Sequence, residues 1–167
     1  MLRTFISLTL ALLGLASAHA QSARIDRIEI FERGIFQSET VKSVDDPSAA
    51  IGKRDVVTKE RLVRDTTDVP AQLGIEFGIR YRIIGPRRGD QVSVIGVTKF
   101  PAQGLRNPAR SETQFRDESV ATETIGGSSY LGHRFDEAWE AVPGTWTFEI
   151  WQGNQKLAEQ SFNVYRP

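Results

Sequence analysis

The chain has 167 residues, with 21 Lys and Arg against 21 Asp and Glu, and it contains no cysteine. The balanced charge argues against nucleic acid or an anionic membrane surface as a partner. The missing thiols exclude disulfides, a cysteine nucleophile and lipid attachment through cysteine.

The first twenty residues read as a cleaved secretory signal peptide. Arg3 supplies the positive start, Phe5 to Leu15 is apolar but short for a membrane span, and Ala18-His19-Ala20 is a small-x-small cleavage site. Removing 20 of the 167 residues leaves a mature chain, Gln21 to Pro167, of 147 residues. That length suits one domain with a core large enough to hold without disulfides. The expected location is the periplasm of a Gram-negative bacterium, with secretion as the alternative and no membrane-spanning segment in the mature chain.

Arg24 to Phe31 reads as a first strand, with Ile28 and Ile30 on one face, and Gly34 predicts a bulge or bend after it. Gln37 to Gly52 is polar and rich in small residues and reads as a loop. Val56 to Arg64 has the alternating charges of an exposed or edge strand, and Asp65 to Pro70 reads as a turn. Ile75, Phe77, Ile79, Tyr81 and Ile83 alternate with Glu76, Gly78, Arg80 and Arg82, which predicts a half-buried strand. Gly85 to Asp90 forms a basic turn, and Gln91 to Phe100 returns as the second strand of a hairpin.

Phe100 to Pro108 reads as a loop, and Thr113 to Ile125 holds one weak strand. Gly126-Gly127-Ser128-Ser129 reads as a joint and Tyr130 to Phe135 as a short strand. Asp136 to Glu140 is one turn of helix or a strand edge. The chain closes on a hairpin. Trp146, Phe148 and Ile150 face inward on its first strand, Gly153-Asn154 makes the turn, and Phe162 and Val164 face inward on the return. The total of about seven or eight strands predicts an all-β fold. An immunoglobulin-like antiparallel β-sandwich is the leading architecture, with a β-barrel as the alternative.

Catalytic signals are sparse. His133 is the one histidine beyond the signal segment, and no Gly-x-Ser-x-Gly elbow or phosphate-binding loop occurs. His133 with Asp136 or Glu137 is the candidate constellation for a hydrolase or a metal-dependent enzyme. One imidazole is a poor start for a zinc site, so no catalytic residue, metal or other cofactor is assigned. Three features are candidates for binding. Arg80 and Arg82 share the non-core face of their strand and suit an anion or a docking surface. Trp151 and Tyr165, on the two strands of the closing hairpin, suit an aromatic platform for sugar or protein. His133 is the third.

The segments Phe77 to Tyr81, Phe100-Pro101 and Tyr130 to Phe135, running on through Trp139 to Trp146, resemble small exported bacterial proteins catalogued as a domain of unknown function. The resemblance implies export and a single compact domain, and it brings no catalytic residues. The expectation from residues and resemblance together is a non-enzymatic binding or protein-interaction module of the periplasm, its partner an envelope protein or a small ligand. A hydrolase using His133 and a structural envelope component are the alternatives.

Overall fold

The computed structural model describes residues 23–167, so the signal expected over residues 1–20 lies outside them. Nine strands and no helix make up the described residues: β1 (Arg27–Asp45), β2 (Lys53–Asp65), β3 (Asp68–Pro70), β4 (Glu76–Ile84), β5 (Gln91–Lys99), β6 (Arg116–Thr124), β7 (Ser128–Arg134), β8 (Gly144–Gln152) and β9 (Gln155–Tyr165). They form a four-stranded sheet in the order β2-β1-β4-β7 and a five-stranded sheet in the order β3-β9-β8-β5-β6. All pairs are antiparallel except β3 with β9. Each sheet keeps two free edges, so the fold is a sandwich and not a barrel.

The two clearest alternations meet in the core. Phe77, Ile79 and Ile83 of β4 and Trp146, Phe148 and Ile150 of β8 are completely buried. Phe77 is the hub, its ring centroid 5.3–5.6 Å from those of Phe135, Trp146, Phe148 and Phe162. The Trp146 indole N–H donates to the Val142 carbonyl at 2.9 Å, so its polar tip is satisfied inside. On the outer side of β8, Glu149 is also buried. Lys99 donates to it at 2.8 Å, Lys156 approaches at 3.4 Å, and the Trp151 indole donates at 2.9 Å. Burial opposes its charge, but these donors prevail and hold its carboxyl below the usual range.

The largest departure from expectation is the segment Gln37 to Gly52. It is not a loop: β1 continues to Asp45, and only the turn around Asp46 to Gly52 is irregular. With β2 it forms a long hairpin, here termed the arm. The alternation that marks a half-buried strand is missing because the arm lies largely in solvent, where Val41, Val44 and Val56 stay exposed. Register shifts at Ile35/Phe36, Gln37/Glu39 and Thr40/Lys42 bend the arm, and Lys59 on β2 has a φ of 57°. Gly34 sits at φ 143°, where a side chain would run into the Arg64 carbonyl.

Three smaller expectations also change. The turn predicted over Asp65 to Pro70 contains β3, whose partner 95 residues away carried no local signal. The joint at Gly126 to Ser129 already begins β7 at Ser128. Asp136 to Glu140 is a bend and turn, neither helix nor strand.

Candidate functional site

The arm creates the site. Its tip crosses from the four-stranded sheet to the edge of the other sheet. Arg54 reaches Asp117 of β6 at 3.0 Å and the Glu118 carbonyl at 2.5 Å. Asp117 also accepts from the Ala50 amide at 3.2 Å, and Arg110 donates to the Pro47 carbonyl at 2.7 Å. The turn is locked from within. Asp46 accepts from the Ser48 hydroxyl and amide and from Arg54, and these hydrogen bonds, with Ser48 first, pull its carboxyl down to about 2.

Under this roof, between the arm, β7 and β5–β6, lies a cavity of about 370 Å³. A second hollow of about 360 Å³ shares Asp55, Val57 and Tyr130 with it and continues along β7 to Ser128. Two residues that line the first cavity, Asp55 and His133, each carry a buried polar atom with no hydrogen-bond partner, Oδ1 and Nε2. His133 stands among aromatic rings, its centroid 4.9 Å from Trp146 and 5.6 Å from Phe135. Its Nε2 is 3.5 Å from the buried Glu140 carboxylate, too long for a good hydrogen bond.

Tyr130 forms part of the wall. Its hydroxyl donates to Glu76 at 3.0 Å, and Ser38 on the arm donates to the same carboxylate at 2.7 Å. Phe36 packs edge-on against the Tyr130 ring at 5.1 Å. Burial first, then the Glu76 charge and hydrogen bond, push the Tyr130 phenol far up, so it stays a donor.

The predicted site residues do not converge. His133 lines the cavity with Asp136, but Asp136 is taken by Lys53 and Arg134, both at 3.1 Å. Glu137 does not line it, and the carboxylate nearest His133 is Glu140. The proposed pairing of His133 with Asp136 or Glu137 is therefore absent. Among the described residues no cluster of three or more metal-ligating side chains occurs.

Arg80 and Arg82 flank Phe31, each 5.4 Å from its ring centroid, and Arg80 also pairs with Glu32 at 2.8 Å. Arg80 borders the second hollow; Arg82 does not. Trp151 and Tyr165 are not neighbours. Register sets Trp151 opposite Lys156 and Tyr165 opposite Pro70 of β3, and the strand from Lys156 to Tyr165 spans about 30 Å. Half-buried Trp151 instead borders a hollow on the outer face of the five-stranded sheet with Lys99 and Arg116.

Sequence reasoning missed Asp55 and Glu76 as site residues. Asp55 lies in the charged run Lys53-Arg54-Asp55 that opens β2, which gave no sign of pointing inward.

Comparison with known proteins is consistent with this architecture. The model of a family described as "Domain of unknown function (DUF3859)" matches residues 25–164. An immunoglobulin-like protein from Pseudomonas aeruginosa is 28% identical, with a TM-score of 0.59, over 87% of this chain and 98% of that one. A beta-glucosidase from Listeria innocua, solved with glucose, matches at 10% identity and a TM-score of 0.32, over 81% of this chain and 17% of that one. The last similarity is too low to carry an argument. No curated protein matches.

Proposed function

The chain belongs to the DUF3859 family, and from that premise we propose that it is a non-enzymatic binding module of the bacterial periplasm, exported by its first twenty residues. Its site is the roofed cleft between the arm and β7. One observation carries the reading: Asp55 Oδ1 and His133 Nε2 are buried at this cleft without partners. An unpaired buried polar atom costs about 1–3 kcal/mol. Two of them at one cleft are accounted for when a ligand supplies the missing hydrogen bonds. The export half of the proposal rests on the positive, apolar and small-x-small order of the N-terminal segment.

Native mass spectrometry of the protein isolated gently from its host's envelope fraction tests both halves. The expected result is a chain beginning at Gln21 with an added mass that Ser119→Trp removes. Ser119 is half-buried and lines the cavity, so the indole would fill it. A bare chain, or an added mass that the blocked variant retains, overturns the binding site. A chain still carrying its first twenty residues overturns export.

A further inference from the structure

The cleft is lined by strand edges rather than strand faces. Five consecutive residues of β7, Tyr130 to Arg134, and five consecutive residues of β2, Lys53 to Val57, border the first cavity. A face would contribute every second residue. β2 and β7 are the two outermost strands of the four-stranded sheet, and the curl of the arm brings one edge round toward the other.

The free backbone groups on β7 follow from its pairing. The Phe135 amide donates to the Ile75 carbonyl at 3.0 Å, and the Ile83 amide donates to the Gly127 carbonyl at 3.2 Å. With the register fixed by Phe77 opposite His133, hydrogen-bonded pairs alternate along the ladder. Ser129, Leu131 and His133 therefore spend their backbone groups on β4. Those of Ser128, Tyr130, Gly132 and Arg134 point the other way, into the cleft. The two hollows together run the length of β7, about 23 Å for seven residues.

The charged side chains along this groove that have no ion-pair partner among the described residues are all carboxylates. Lys53 and Arg134 share Asp136, Arg54 pairs with Asp46 and Asp117, and Arg80 pairs with Glu32. Asp55, Glu60 and Glu76 line the groove with no basic partner at ion-pair distance among the described residues. Asp55 Oδ1 is the atom still waiting for a donor.

We propose that the occupant of the cleft is an extended peptide segment bearing Lys or Arg, which adds as a strand to the free edge of β7 and places its cationic side chain against Asp55. Backbone pairing supplies affinity and the acidic wall supplies selectivity. This rests on the binding reading above and narrows its ligand to a protein segment.

The probe is a capped, fluorescein-labelled nine-residue peptide of alternating Thr and Val, with Lys at its centre and at both ends. Its binding to the full mature chain is followed by fluorescence anisotropy and by amide chemical shifts. Backbone N-methylation at alternate positions in one register should abolish binding. Methylation in the other register should change it less than about threefold, because only one edge of the peptide faces β7. Asp55→Asn, which preserves shape, should weaken binding about tenfold, the loss expected for one charge-assisted contact. Amide shifts should centre on Ser128 to Arg134.

Absence of binding, or equal loss in both methylation registers, overturns strand pairing. If that happens while the host-isolated protein carries a small adduct that Ser119→Trp removes, strand pairing falls and the binding reading stands. If binding occurs but the shifts lie away from β7, strand pairing at β7 falls and the adduct test alone decides the binding reading.

Discussion

Gly132 lies beneath the ring of Tyr130, two residues earlier on the same face of β7. A Cβ added there would meet the ring 2.8 Å from Cε1 and closer still to Cζ and the hydroxyl. Gly132→Ala therefore has to displace a ring that is otherwise fixed. The displacement breaks the Tyr130–Glu76 hydrogen bond of 3.0 Å and the edge-on contact with Phe36 at 5.1 Å. A hydrogen bond to a charged acceptor contributes about 1.5–3 kcal/mol, and an aromatic pair about 0.5–1.5 kcal/mol. The expected destabilisation is about 2–4 kcal/mol, or a fall in Tm of roughly 5–15 °C for a domain of this size. Tyr130→Phe removes only the hydroxyl and should cost about 1.5–3 kcal/mol. Urea unfolding followed by tryptophan fluorescence measures both. If Gly132→Ala melts within about 0.5 kcal/mol of the parent, as an unconstrained surface change would, then Tyr130 is not held as described and the cleft wall is not rigid.

Trp146→Ala should cost about 3–5 kcal/mol, since it removes a completely buried indole between Phe77 and Phe100; a parental melting curve would reverse the face assignment of β8. Glu149 has a folded pKa below its unfolded value of 4.5, so its contribution is present above pH 4.5 and is lost as the pH falls through the folded value. Glu149→Gln should therefore flatten the acid side of the stability–pH profile below that point, and an unchanged slope would refute the ion-pair account. Asp117→Asn should loosen the tip of the arm, raising hydrogen exchange at the Ala50 amide while leaving the amides of β8 protected; uniform acceleration would show that the arm and the sandwich open as one unit.

The sandwich was legible where burial is one-sided. The alternations at Ile75 to Ile83 and at Trp146 to Ile150 predict strands and faces, and Phe77, Ile79, Trp146 and Phe148 are fully buried as that pattern requires. Gly153, at φ 54°, makes the predicted hairpin turn. The arm was illegible because a ribbon exposed on both faces needs no apolar period, so Gln37 to Asp45 has the composition of a loop. The cleft was illegible for a related reason. It depends on strand order and on the curl of β2, which bring Asp55 and His133 to one cavity from positions 78 residues apart. Arg80 and Arg82 did share a face as alternation predicts, but the face already holds Phe31 and Glu32 as partners. Trp151 and Tyr165 failed as a pair because alternation gives the side of a strand and not the distance along it.

The way the ends of the chain are stitched in has a kinetic consequence. The Ile25 amide donates to the Gln152 side chain across 127 residues, and β3 finds its partner only in β9. Contacts of such sequence separation carry a large closure entropy before they stabilise anything, and they make folding slow. A chain synthesised N-terminus first cannot complete the five-stranded sheet until the eleven residues of β9 have emerged. Until then β3 and β8 lack the neighbour they share, and the arrival of β9 closes the larger half of the sandwich.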